Sequence, residues 1–310
     1  MGELQVYKKA MQLMGNQFEI SVVANDEAWA YTCIDKGVEE VKRIEQLLTT
    51  YKASSETNFI NSNAGITPVK VSLETLNLIE RSLRISSATQ GAFDITYGSV
   101  DKRLWNFDTN MKTLPNKEKA KETVKLINYK NVIIDRGNST VYLREKGMRI
   151  GFGGIGKGYA AERAKQVMQL AGAISGIVNA SGDLATWGTQ PDGSKWTIGI
   201  AHPDLAGKIF SYMTINDLAI ATSGNYEKFI MIGNKKYSHT INPRTGLPVT
   251  GIKSVTVISS NAEIADAMAT PVMIMGIKAG LHMINQMKDV EAIIIDDDNV
   301  LYTSNSIKLS

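Results

Sequence analysis

The run Gly151-Phe152-Gly153-Gly154-Ile155-Gly156-Lys157-Gly158 is the stretch of this sequence best suited to chemistry, since it lies between a strand-like and a helix-like segment. Glycine permits positive φ and lets a ligand approach the backbone closely, and free amides at the following helix start favour a phosphate. Lys157 adds a point charge there. Gly151, Gly153 and Gly156 satisfy G-x-G-x-x-G, and the same stretch approaches the P-loop pattern. Neither context follows. Gly158 stands where the P-loop needs Ser or Thr for magnesium, and the acidic residue that a dinucleotide fold requires is met only by Asp183, late and between Gly182 and Leu184. A third reading is a tight strand-to-helix turn with no ligand.

Asp266 and Thr270, in the helix-forming stretch Ala262–Thr270, are four residues apart and so share a face. A carboxylate and a hydroxyl stacked in this way give two oxygen donors for a hard cation such as Mg²⁺, or else bond to each other. His239, one of three histidines, ends a strand-like segment that runs into Asn242-Pro243-Arg244-Thr245-Gly246. Proton transfer, phosphate orientation and a purely structural role all fit it. Tyr51, Phe93 in Gly91-Ala92-Phe93-Asp94, and Leu104-Trp105 supply loop aromatics that stack on flat rings or close a core edge. Asn179–Asp183 and Ala219–Tyr226 are strand-to-turn segments with small polar residues.

The elements that must hold these residues follow from periodicity. NQFEISVVA (16–24) reads as a strand, and after Asp26 the positions Ala30, Ile34, Val38, Val41, Ile44 and Leu48 recur at helical spacing. Residues 51–65 read as a long polar loop, followed by a helix over 72–88 with Leu73, Leu76, Ile79 and Leu83 on one face. A Lys/Glu-rich helix is expected near 116–128, then a hairpin of VIID and TVYLRE around RGNS, and a helix over 158–171. Further strands are GIVNA, WTIGIA, KIFSYMTI, EKFIMIG with KYSHTI, SVTVISS, AIIID and VLYTS, with a helical stretch near 262–287 and a turn at DDDN (296–299). The pattern predicts an α+β fold with mixed or antiparallel sheet and packed helices. No linker or repeat divides the chain, so residues 1–310 are expected to form one structural unit.

With 43% hydrophobic and 21% charged residues in 310, the chain is long enough for a large core. Its 34 basic and 31 acidic residues form no long single-sign block, which argues against nucleic acid or an anionic membrane as partner. The lone Cys33 rules out an intrachain disulfide and a cysteine metal cluster, and reads as a small buried helix residue. No apolar run reaches the roughly 18 residues of a spanning helix, and the amino terminus lacks a signal-peptide pattern, so the chain as given is expected to be soluble.

Taken in order, MGNQFEI, GAFDIT, LW, GGIGKGYAAERA, NASGDLATWG, ATSGNYEKF, SHTINPRTGLPV and ADAMAT resemble the ApbE family of FAD:protein FMN transferases. The resemblance implies an α+β fold that binds FAD as substrate, with Mg²⁺ near its pyrophosphate. It implies release of AMP and esterification of FMN onto a Thr or Ser hydroxyl of an acceptor flavoprotein. Carried over by position, Asp266 and Thr270 look like side-chain metal ligands, with the backbone carbonyl of Gly154 a third. Met14, Tyr51, Ala92, Phe93, Asp94, Lys157, His239 and Thr240 fall where the family contacts FAD, and His239 and Asp183 are the candidates for a base toward the acceptor hydroxyl. The family usually carries an acidic residue where Gly151 stands, so a flavin contact made there by a carboxylate is absent or supplied differently. An FAD pyrophosphatase and a non-catalytic flavin-binding module are the rival readings. A place in the periplasm or cell envelope is a further expectation from the resemblance.

Overall fold

The computed structural model describes residues 2–101, 113–201, 209–224, 229–232 and 235–307. Leu104, Trp105, Asn225, Tyr226 and the turn residues 233–234 lie outside them. The chain opens with a hairpin of β1 (Gln5–Leu13) and β2 (Asn16–Ala24), joined by Met14 and Gly15 at φ 52° and 71°. Two consecutive positive φ values are what a two-residue hairpin turn needs to match strand twist. α1 (Glu27–Leu48) starts where the Asp26 side chain accepts from the Trp29 amide at 2.7 Å, and it buries every position its periodicity selects, and Cys33 as well.

Residues 51–65 are not a continuous loop. Ser55 caps a short helix, α2 (Glu56–Ser62), whose seven residues are too few for a periodic signal. β3 (Val69–Lys70) leads to α3 (Leu73–Ala88), capped by Ser72, which buries Leu76 and Ile79 but leaves Leu73 60% exposed on its first turn. A 3-10 turn at Ile95–Ser99 follows, and then α4 (Lys117–Glu122), shorter than its Lys/Glu content suggests. β4 (Val132–Asp135) and β5 (Thr140–Leu143) form the expected hairpin in a small sheet of order β3-β5-β4.

α5 (Gly156–Leu170) leads into β6 (Gly176–Ala180) and β7 (Asp183–Trp187), and then β8 (Trp196–Ala201), β9 (Ile209–Ile215) and β10 (Ala219–Gly224). The chain closes with β11 (Phe229–Ile232), β12 (Lys235–Ser238), β13 (Ile252–Ser259), α6 (Ala262–Met275), α7 (Ile277–Ile284), β14 (Val290–Asp296) and β15 (Leu301–Thr303). The main sheet has the order β1-β2-β6-β7-β10-β13-β14-β15 and is antiparallel at every pairing. Of the two sheet types expected, the antiparallel one is found.

Both faces of this sheet are covered. Phe18, Ile20 and Val22 meet α1 and α5 through Ile34, Val41 and Ala164, while Val255 and Val257 meet α6 through Ala265 and Val272. The opposite face packs Leu184, Ile220, Ile258 and Ile293 under the β8–β9 hairpin through Trp196, Ile200 and Ile215. Side chains at alternate positions of one strand thus enter two cores, which is why β13 is buried along its whole length. No helix among the described residues is long and apolar enough to cross a membrane.

Candidate functional site

The starts of α5 and α6 meet beside the turn between β6 and β7. None of the five glycines at 151–158 has a positive φ, so conformational freedom does not account for them. Close approach accounts for one of them. A Cβ on Gly158 would lie 2.1 Å from the Ala262 carbonyl oxygen and 2.6 Å from Asp266 Cβ, so α5 touches α6 through bare backbone. The Ser or Thr of a P-loop has no room at this position. Three of the turn's amides are already bonded within the chain. Those of Ile155 and Gly156 donate to the Phe152 carbonyl at 3.2 and 2.6 Å, and that of Gly158 donates to Asp266 Oδ2 at 2.8 Å. At Gly158 a carboxylate of the chain itself takes the place that the helix-start reading gave to a phosphate.

Asp266 is buried at 6% exposure, and burial together with the charge of Asp183 raises its pKa to about 7, against the pull of Lys157 and of the α5 amides. The Lys157 ammonium pairs with Asp183 Oδ2, and Asp183 Oδ1 accepts from the Thr222 amide at 3.3 Å. One turn beyond Asp266, Thr270 Oγ1 lies 3.4 Å from Ser223 Oγ, and Thr222 Oγ1 lies 3.0 Å from Thr256 Oγ1. The structure thus gathers Lys157, Asp183, Asp266 and Thr270 at one place and adds Thr222 and Ser223 of β10. Sequence reading assigned those two hydroxyls no role, because only the adjacency of β7, β10 and β13 in the sheet brings them here.

Other predicted residues flank this cluster. The Phe93 ring lies 3.6 Å from the position a Gly154 side chain would take, and the Met14 methyl lies 3.7 Å from that of Gly156. Ala92 is buried next to Phe93. Tyr51 is 95% exposed and follows Thr50, whose methyl is the nearest group to the side-chain position of Gly151. Asp94 is turned to a structural task. Its oxygens accept from Thr96 N and Oγ1 and from the Tyr129 amide, so it caps the 3-10 turn, while burial raises its pKa. Tyr97 of that turn accepts from the Ile241 amide, and Ile95 accepts from the Gly151 amide, so the turn links the His239–Ile241 segment to the glycine run. His239 is exposed and Thr240 buried at the end of β12, and the Arg244 guanidinium donates to the Gln90 carbonyl. Gly246 is required by packing, since a Cβ there would lie 1.9 Å from the Ala120 carbonyl oxygen.

The donors at the cluster are all oxygen, which suits a hard cation and not a thiolate or imidazole site. Among the described residues no group of three His, Cys, Asp or Glu is placed to hold a metal. With Asp266 and Thr270 as side-chain donors, a bound cation would complete its sphere with carbonyl oxygens and water. Positive charge placed beside the buried carboxylates of Asp183 and Asp266 would also offset the cost of keeping both ionised.

A family model described as the ApbE family matches residues 14–294. A curated relative from Klebsiella pneumoniae (strain 342), named FAD:protein FMN transferase, is 29% identical over 311 residues, covering 100% of this chain and 95% of its own length. Among solved structures, the ApbE protein of Thermotoga maritima MSB8 superposes with a TM-score of 0.86 at 30% identity, covering 97% of this chain and 98% of the other. The flavin transferase ApbE of Vibrio cholerae superposes with a TM-score of 0.82 at 26% identity, covering 98% of each chain.

Proposed function

Because the chain belongs to the ApbE family, we propose that it is an FAD:protein FMN transferase, which uses Mg²⁺, releases AMP and leaves FMN esterified to a Thr or Ser of an acceptor protein. The observation that carries this reading is the buried Asp266, held by the start of α5 beside Lys157, Asp183, Thr270 and Ser223. Asp266, Thr270 and the Gly154 carbonyl would hold the cation, which when bound neutralises charge developing on the diphosphate.

The chain's own residues have separable tasks in this scheme. Lys157 moves from Asp183 to the diphosphate, and its ammonium offsets charge on the AMP leaving group. The acceptor hydroxyl oxygen bonds to the FMN phosphorus, the bond from that phosphorus to the bridging oxygen breaks, and AMP departs with that oxygen. The hydroxyl proton passes to a base. Asp183, relieved of Lys157, and His239, exposed at the strand end, are the two candidates. Phe93 and Met14, which flank the glycine turn, would contact the flavin.

Incubation with FAD, Mg²⁺ and an acceptor that carries a flavinylation sequence tests the scheme. Covalent flavin on the acceptor with equimolar AMP is the expected result. Free FMN without labelled acceptor would assign a pyrophosphatase instead, and bound FAD without AMP a flavin carrier. Asp266→Ala is expected to lower transfer by at least about a hundredfold with the far-UV spectrum unchanged, and a fully active variant would refute the metal assignment.

A further inference from the structure

The starts of α5 and α6 are each capped by a carboxylate from the second turn of the other. α5 has no side-chain cap of its own, because Ile155 occupies its N-cap position. Asp266 of α6 supplies the missing acceptor by taking the Gly158 N–H at 2.8 Å. In return, Glu162 Oε2 of α5 takes the Ala262 N–H, the first of α6, at 3.0 Å. Gly158 and Glu162 are one turn apart on α5, as Ala262 and Asp266 are on α6, so two bonds of opposite sense join matching faces. Both carboxylates are buried, at 8% and 6% exposure.

This contact has no slack. Gly158 brings the backbones together, and Ala262 is 1% exposed, so its N–H has no access to water. Without the Glu162 carboxylate, that N–H is left buried and unpaired, a cost that α6 relieves by drawing its first turn away from α5. Asp266 lies one turn further along the same helix and moves with it.

We propose that Glu162 is a positioning residue for Asp266: by accepting from the Ala262 amide it sets the place of α6 against α5, and with it the carboxylate that grips the cation. The proposal rests on the reading of Asp266 as a metal ligand. Glu162 also has Lys165 within 3.7 Å, so a purely ionic role must be separated from the capping role. Glu162→Gln does this, since its amide oxygen still accepts from Ala262 while its charge is gone.

The test uses the full chain, with Mn²⁺ alone as probe. Its binding is followed by paramagnetic resonance, and exchange of the Gly158 amide is followed by NMR relative to that of Val257 in β13. Glu162→Ala is expected to weaken Mn²⁺ by about tenfold to a hundredfold and to speed Gly158 exchange about tenfold beyond any change at Val257. Glu162→Gln is expected to stay within about threefold of wild type in both. Should Glu162→Ala not fold, Glu162→Asp replaces it with the same expectation, being one methylene short of Ala262. Wild-type Mn²⁺ affinity or wild-type Gly158 exchange in the shortened variant overturns the proposal, as does a Gln variant impaired as far as Ala. If wild-type protein takes up no Mn²⁺, the metal reading fails by itself, and Gly158 exchange alone decides whether Glu162 positions Asp266.

Discussion

A carboxyl group buried beside a second carboxylate holds its proton longer than one in water, and the raised pKa of Asp266, about 7, has that origin. The sign of its effect on stability follows from linkage. Between the ordinary aspartate range and about 7, the metal-free folded state keeps a proton that the unfolded chain has released. Stability is therefore greatest at the acidic end of this window and falls as pH rises through it. Asp266→Asn removes the titration and still offers an amide oxygen to Gly158. In denaturant unfolding with chelator present, the variant should gain on wild type as pH rises from 5 to 8, and parallel curves would refute the assignment. A second prediction concerns Gly151, which has no positive φ and whose side-chain position meets only the Thr50 methyl, at 3.9 Å. Nothing in the packing requires glycine there. Gly151→Ala is expected to leave stability unchanged or raise it by up to about 1 kcal/mol, read as a shift in denaturant midpoint.

Between helices the tolerance is much smaller. Gly158→Ala puts a methyl group 2.1 Å from the Ala262 carbonyl oxygen, so α5 and α6 must separate and both exchanged caps must stretch. A loss of about 1–3 kcal/mol is expected from the overpacking, with weaker cation binding than any stability loss explains, both measurable by denaturant unfolding and metal titration. This position also marks the limit of what the sequence reveals. α1 and α3 were legible because Asp26 and Ser72 are N-cap residues ahead of a periodic apolar face, and the β4–β5 hairpin because of its turn residues. β1 was not, because an edge strand with mostly exposed side chains carries little alternation. β7 was not either, since Asp183–Trp187 is buried at every position and shows no period at all. Asp266 and Thr270 stood out by their spacing. That Gly158 and Ser223 are their partners did not, because these lie 108 and 47 residues away and meet them only through helix contact and strand order. The glycine run was legible as a special segment, but the helix contact that requires glycine at position 158 was not.

Across the molecule, the cluster joins parts of the chain that are distant in sequence: the start of α5, the turn into β7, the end of β10 and the first half of α6. The proposed cation would tie the helical layer to the middle of the sheet, so that its binding energy would become folding energy. At a Mg²⁺ concentration about 100 times its Kd, linkage contributes about 2.7 kcal/mol, which for a chain of this size raises Tm by roughly 4 °C. The cation also competes with the proton on Asp266, so the rise should be larger at pH 8 than at pH 6. Asp266→Asn should show little of it at either pH, because its neutral amide is a poor substitute ligand. Differential scanning calorimetry with and without Mg²⁺, at both pH values, measures all of these. An equal Mg²⁺ shift in wild type and variant would place the cation elsewhere, and a shift larger at pH 6 would mean that the titrating group is not Asp266.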